Sequence, residues 1–328
     1  PTSRLLRVKS DEAAREEALL KLEESFESIT KELGEMNRKQ GDMEKELGDI
    51  RGVLTGKDQK LRETQSAYHQ ESSRLEALSN LTERYEGYGG SVKKVMEQKE
   101  KEKGIIGVVA DIIKVEKKYE TAIETALGGN IQNIVTDDEN TAKRMIGYLK
   151  ANRLGRATFL PLTSIIHPQE FKSPEILEEK GVIGMADELV EIEDRYRNVA
   201  KAMLGRIVVI DNVDNAVRIA KKSGYSVRMV TLEGELLVPG GAISGGAFKN
   251  NSNLLGRRRE IEELQKKTRK LLSAVEEING EIKSTKERRN ELRLALENIK
   301  SEIGKKSIEQ NTVRLSISQA RERMEEEM

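Results

Sequence analysis

Ile131-Gln132-Asn133-Ile134-Val135-Thr136-Asp137-Asp138-Glu139 is a short, largely apolar run that breaks into three acids, and Ile207-Val208-Val209-Ile210-Asp211-Asn212-Val213-Asp214 is a second run of the same kind. β-Branched residues closed by Asp read as a buried strand that hands over to a helix. The flanks agree in both places. Lys117 to Leu127 has a helical pattern stopped by Gly128-Gly129, Asn140 to Lys150 is a second helix, and Ala157-Thr158-Phe159-Leu160-Pro161 is a strand. In the later copy Val199 to Leu204 is helical up to Gly205, Asn215 to Lys222 is helical, and Val227 to Thr231 is a strand. At one constant spacing Asp137, Ala142 and Arg144 fall on Asp211, Ala216 and Arg218. Two copies of helix–strand–Asp–helix–strand predict an α+β centre of two similar mixed α/β subdomains, separated by the loop around Ile165 to Pro174. Upstream, Gly104 to Ile113 reads as one more strand.

Outward from this centre the period changes. Leu22, Phe26, Ile29, Leu33, Met36, Met43, Leu47, Ile50, Leu54 and Leu61 keep a 3-4 apolar repeat that continues to Tyr85, interrupted by Lys57 and Glu71. Ile261, Leu264, Thr268, Leu271, Val275, Ile278, Ile282, Leu292, Leu296, Ile299 and Ile303 keep another, which resumes at Val313 and Ile317 after Lys306 and Gln310. A heptad pattern sustained so far beyond an ordinary globular helix reads as coiled coil. Each arm would extend roughly 100 Å at the helical rise. The economical partner for each seam is the other arm, antiparallel within one chain; pairing with a second chain is the alternative. The resulting division is a first arm (1–88), a junction (89–103), subdomains at 104–172 and 173–250, and a second arm (251–328). Gly34, Gly41, Gly48, Gly52 and Gly56 lie just off the first seam, as tolerated outer-face residues or as a bendable stretch.

Composition suits two solvated rods around a smaller globule. Charged residues are 35% and aromatics 3%, with 57 basic against 57 acidic side chains. Neutrality hides a net of −4 in 1–88, +1 in 89–250 and +3 in 251–328. Cysteine is absent, which excludes disulfides, thiol nucleophiles and Cys-ligated zinc. No apolar run approaches membrane-span length and no signal peptide opens the chain, so a cytoplasmic location without membrane contact is expected. Both ends look like cuts through a longer protein.

Catalytic readings find little support. Gly52-Val53-Leu54-Thr55-Gly56-Lys57-Asp58 is one residue short of a phosphate loop and lies within the heptads. His69 is in the first arm and His167 precedes Pro168 in a loop, so a metal site or His-based triad is not expected. Asp137, Asp138, Asp211 and Asp214 fit helix N-caps better than paired catalytic carboxylates. Leu236 to Gly246 places Gly240, Gly241, Gly245 and Gly246 around one small apolar strand. Such a tract admits close backbone approach, suiting a strand edge that another backbone pairs with, a flexible loop, or a phosphate cradle. Positive charge gathers at Lys150 to Arg156, at Lys249 with Arg257-Arg258-Arg259, and among Lys93 to Lys103. These are either phosphate contacts without base stacking or the solvated start of a helix.

Ala126-Leu127-Gly128-Gly129-Asn130-Ile131-Gln132-Asn133-Ile134-Val135, Gly155-Arg156-Ala157-Thr158-Phe159-Leu160-Pro161-Leu162, Val230-Thr231-Leu232-Glu233-Gly234, Pro239-Gly240-Gly241 and Ser244-Gly245-Gly246, between two heptad arms, resemble the hinge region of SMC (structural maintenance of chromosomes) proteins of the bacterial chromosomal type. The resemblance implies an SMC-hinge-like domain at the tip of a long antiparallel intramolecular coiled coil, serving chromosome condensation and segregation. It implies a homodimer made by pairing strand edges, with Gly240, Gly241, Gly245 and Gly246 at the contact. DNA is expected at basic residues beside the arms: Lys150, Arg153, Lys249 and Arg257. This segment is expected to be non-catalytic and without cofactor. The implied ATPase heads, with ATP, Mg and kleisin-type subunits, would lie beyond both ends, and the whole protein would associate with the nucleoid. Absence of Cys sets the chain apart from related zinc-hook proteins. The competing reading is a cytoplasmic coiled-coil scaffold whose centre binds a protein partner and not DNA.

Overall fold

The computed structural model describes residues 2–247 and 253–326. Helix α1 is Thr2–Glu83 and α2 is Gly90–Met96. Then come β1 (Ile105–Val108), α3 (Val109–Ile112), β2 (Lys114–Val115), α4 (Glu120–Leu127), β3 (Ile134–Thr136), α5 (Glu139–Ala151) and β4 (Phe159–Pro161). The second half holds β5 (Val182–Met185), β6 (Val190–Glu191), α6 (Arg197–Leu204), β7 (Ile207–Ile210), α7 (Val213–Lys222), β8 (Arg228–Thr231), β9 (Leu236–Leu237) and β10 (Ile243–Ser244). Helix α8, Leu254–Glu326, completes the chain. Among the described residues no helix is long and apolar enough to cross a membrane.

Residues 1–68 and 270–328 form one compact unit and residues 69–269 another. In the first, the distal parts of α1 and α8 pair antiparallel. Ile50 and Leu54 are buried with Ile278, Ile282 and Leu292, all positions of the two sequence frames. The cross-arm contacts fix the direction, because partner numbers fall on α8 as they rise on α1. Glu23 meets Arg321 at 2.9 Å, Glu32 meets Lys306 at 2.7 Å, Glu46 meets Arg288 at 3.1 Å and Lys57 meets Glu281 at 2.8 Å. The polar residues that interrupted the frames are cross-arm partners: Lys57 and Lys306 make these ion pairs, and Gln310 donates to the Thr30 hydroxyl at 3.0 Å. Polar groups at seam positions fix register, because a slip would leave them unpaired. Gly34, Gly41, Gly48, Gly52 and Gly56 are exposed on an unbroken helix, with nothing within 4 Å of an added Cβ.

The second unit is a twin-sheet domain. The first half is a three-stranded sheet in the order β1-β3-β4; the second is β10-β9-β8-β7-β5. Strand β1 pairs antiparallel with β3, which pairs parallel with β4; β5, β7 and β8 repeat that arrangement, down to a bulge in the first strand at Ile105/Gly107 and Val182/Gly184. Two turn-to-helix details also repeat. Asp137 N–H donates to the Gly104 carbonyl and Asp211 N–H to that of Gly181 (2.9 and 2.8 Å), while Arg144 pairs with Glu102 and Arg218 with Glu179 (3.0 and 3.2 Å). The halves are fused as well as similar. Val199, Ala200 and Leu204 pack in one core with Ala122, Ile123 and Leu127, and β2 pairs with β6.

Several local readings change. Residues 104–113 are not one strand: the chain leaves β1 at Val108, because the Asp111 carboxylate turns back to accept the Val108 N–H at 3.1 Å and opens α3. Asp138 is the N-cap of α5, accepting Thr141 N–H at 2.9 Å, but Asp137 accepts the Thr141 hydroxyl instead. In the twin, Asn212 caps α7 through Asn215 N–H at 2.9 Å, Asp211 accepts Asn215 Nδ2 at 2.8 Å, and Asp214 lies in the first turn. The carboxylate one residue before each cap bonds a side chain, so only Asp138 has the capping role expected of all four. The glycine tract holds two short strands, β9 and β10, joined by a turn in which Val238 N–H donates to Ala242.

Candidate functional site

Two regions could carry function: the free edges of the twin sheets and the place where both arms meet the central domain. Strand β4 ends the first sheet and β10 ends the second. The outer edges of both, like those of β1 and β5 at the opposite ends, lack a strand partner among the described residues; such an edge offers main-chain groups for pairing, although Pro161 in β4 carries no N–H. Around β10, residues 239–247 are exposed, and Ile243 shows 56% of its surface. Gly240, Gly241 and Gly246 have φ of 99°, 104° and 132°, conformations that favour glycine. An added Cβ at Gly240 or Gly246 would meet nothing within 4 Å; at Gly241 it would touch the Tyr225 ring at 3.7 Å and at Gly245 the Glu235 Cγ at 3.0 Å. The four glycines therefore border an accessible edge, and at two of them the chain itself does not occupy the space a side chain would fill.

The junction is held by a dense polar network. Asn253 caps α8 by accepting Gly256 N–H at 2.9 Å, and its Nδ2 donates to Glu120 at 2.9 Å. Glu124, one helical turn along α4, accepts Leu254 N–H at 2.7 Å. Two carboxylates thus receive the positive end of α8. Burial raises the Glu124 pKa, opposed by that N–H. Arg259 pairs with Glu120, whose side chain is 4% exposed, and Arg258 donates to the carbonyls of Asp111 (2.8 Å) and Ile113 (3.3 Å). Arg257 donates to the Glu86 carbonyl where α1 ends. Beside it the Tyr85 hydroxyl donates to Asp111 at 3.0 Å, and burial raises the pKa of Asp111. Arg257-Arg258-Arg259 is therefore neither a solvated helix start nor a free cationic patch. It fastens the second arm to the end of the first and to the central domain.

The residues expected to contact phosphate fall into three different settings. Lys150, in the last turn of α5, and Arg153, just beyond it at φ 52°, are exposed and have no acidic partner among the described residues. Arg257 is half-buried and engaged as above. Lys249 lies outside the described residues. The sequence reading missed Glu120, Glu124 and Asn253. The signal for the first two was a Glu pair at i, i+4 on one face of a helix; for the third it was an Asn directly before the apolar start of α8.

A duplicated sheet domain lying in sequence between two long helices, the second fastened to it by its capping Asn253 and by the Arg259–Glu120 salt bridge, defines a sheet module inserted into a coiled coil. Comparison with known proteins narrows this class. Residues 102–220 match the family described as SMC proteins Flexible Hinge Domain. The crystal structure of an asymmetric dimer of the Geobacillus stearothermophilus SMC hinge domain is similar at TM-score 0.67 and 33% identity, covering 74% of this chain and 98% of that one. The chromosome partition protein Smc of Desulfitobacterium hafniense is 42% identical over 211 residues (63% of this chain, 18% of that protein). That of Clostridium kluyveri is 36% identical over 270 residues (80% and 23%). The chain belongs to the SMC hinge family, and it spans about a fifth of the length of these curated relatives.

Proposed function

We propose that this chain is the dimerisation hinge, with adjoining arms, of a chromosome-organising SMC protein, and that it joins two copies by pairing the β4 edge of one with the β10 edge of the other. The observation that carries the reading is the exposed outer edge of β10, bordered by glycines that leave its backbone approachable, with β4 as an edge strand of the other sheet. Edge pairing satisfies main-chain groups at little side-chain cost, and two such pairings related by a two-fold axis close a dimer. The name of the Geobacillus hinge structure, an asymmetric dimer, supports self-association. The whole relatives are several times longer, and we place ATP, Mg, catalysis and kleisin-type partners with the remainder of such a protein. The arms relay changes between that remainder and the hinge.

DNA contact at the junction is the finer part of the proposal. Lys150 and Arg153, exposed and without an acidic partner among the described residues, support it, with Lys249 as a further cation; Arg257 adds charge but is held by the Glu86 carbonyl. Contact through these cations is to phosphates and falls with salt. Fluorescence anisotropy of a labelled duplex across a salt series tests this. Lys150→Glu with Lys249→Glu should weaken binding and flatten the salt slope by about one for each cation lost. Salt-insensitive binding, or binding unchanged by the pair, would favour a protein-binding scaffold.

A further inference from the structure

The duplication contains its own control. In the first half, α2 covers the end of the sheet where β3 and β4 begin. Val92, Val95 and Met96 are buried there, Gly89 N–H donates to Gln132 at 2.8 Å, and the Ser91 hydroxyl donates to the Arg156 carbonyl. The second half repeats the local turn geometry: Lys99 N–H to Met96 and Ile105 N–H to Glu102 have twins in Ile176 N–H to Ser173 and Val182 N–H to Glu179. That alignment sets Gln169, Lys172 and Ser173 where Val92, Val95 and Met96 stand. No helix forms there. A cavity of about 320 Å³ is left, lined among others by Lys172, Ser173, Arg206, Ser226 and Arg228. Setting β3 and β4 on β7 and β8 puts Arg206 at the place of Gln132, Ser226 at that of Arg156 and Arg228 at that of Thr158. Two of the positions that hold the cover in one half therefore line an open cavity in the other, and its apolar plug has become polar and cationic.

We propose that this cavity is a binding site for a phosphate ester, separate from the arm junction and from the sheet edges. Lys172, Arg206 and Arg228 supply three cations, and Ser173 and Ser226 supply neutral donors. The one acid of the lining, Glu170, is exposed. Elsewhere in this half Arg218 and Lys222 share Glu179; the three cavity cations have no acidic partner among the described residues. Their charge is matched by an anion with several acceptor oxygens, since guanidinium groups engage phosphate bidentately. The volume is at the lower end of small-ligand sites. It accommodates one nucleotide unit, either free or as part of a strand, and excludes a duplex. The site does not depend on the junction reading, and either can fail alone.

The test uses the whole chain with three probes: adenosine 5′-monophosphate and adenosine by calorimetry, and a labelled single-stranded 12-mer by anisotropy. The monophosphate should bind at millimolar concentration or better and adenosine much more weakly, a comparison that needs no variant. Arg206→Gln with Arg228→Gln, both exposed, should weaken phosphate binding at least about tenfold with unchanged melting, whereas Lys150→Glu with Lys249→Glu should leave monophosphate binding intact. Loss for the strand alone identifies a backbone phosphodiester as the ligand, and loss for the monophosphate alone a free nucleotide. Equal binding of adenosine and its monophosphate, tighter binding of an oligoglutamate than of either phosphate probe, or binding indifferent to the Arg206/Arg228 pair, overturns the proposal.

Discussion

Arg259→Met tests whether the second arm is fastened by the buried carboxylate of α4. The Glu120 side chain is 4% exposed and that of Arg259 20%. Removing one member of such a pair leaves a buried charge short of its partner, at a cost of about 3–5 kcal/mol. Here Asn253 Nδ2 still donates to Glu120 at 2.9 Å and the site is not fully closed to water, which sets the expectation near 3 kcal/mol. That is roughly a hundredfold change in an opening equilibrium. The readout is hydrogen exchange at Leu254 and Gly256, whose amides donate to Glu124 and Asn253. Both should exchange about a hundredfold faster, while amides of α8 beyond Lys270, in the other compact unit, should change little. Adding Glu120→Leu removes the stranded charge and should recover most of the loss, because a well-packed apolar replacement for a buried ion pair is often neutral. The reasoning is refuted if Arg259→Met shifts protection by less than about 0.5 kcal/mol, or if the double variant is no better than the single.

Two further outcomes follow from groups held against their preference. Burial raises the Asp111 pKa, opposed by the Val108 N–H and the Tyr85 hydroxyl and by the charges of Lys99 and Arg258. The folded state thus keeps this proton to higher pH than the unfolded chain does, so its contribution favours folding in acid and is lost as pH rises through the folded value. Asp111→Asn keeps an acceptor for both donors; urea midpoints should show it at least as stable as the parent at pH 7, with that part of the acid-side gain gone. A loss above about 1 kcal/mol at pH 7 would mean that attraction to Lys99 and Arg258 outweighs desolvation. On the arms, Arg289 is a seam residue whose Nε is buried without a partner. Arg289→Leu removes an unsatisfied donor and adds apolar burial, so the coiled coil should gain about 1–2 kcal/mol in thermal melting; destabilisation would show that the guanidinium has a role in the seam.

The arms were legible because the 3-4 repeat is long and regular. Ile29, Leu33, Ile50, Leu54, Ile278, Ile282, Leu292 and Ile299 are buried where the frames put them. What Lys57, Lys306 and Gln310 do was not legible, since a polar break in one frame says nothing of its partner until the register between two distant segments is known. The twin organisation showed through Asp137 and Asp211, yet β5 at Val182–Met185 was missed: four residues around Gly184 carry too little alternation to stand out. The basic run at 257–259 was ambiguous for another reason. Three of its acceptors are main-chain carbonyls, at Glu86, Asp111 and Ile113, which leave no trace in side-chain chemistry, and its buried carboxylate, Glu120, lies in a distant segment of the sequence. The cationic cavity was invisible for the same kind of reason, because Lys172, Arg206 and Arg228 come from three separate segments.

Edge-to-edge dimerisation is the central claim, and light scattering on a size-exclusion column measures it directly. The chain should run at twice its single-chain mass at micromolar concentration. Gly240→Leu with Gly246→Leu should run as a folded monomer, since within one chain an added Cβ at either position meets nothing within 4 Å and the cost is backbone strain of roughly 1–2 kcal/mol each. A parent chain with the mass of a monomer, or a double variant that stays dimeric, would contradict the account.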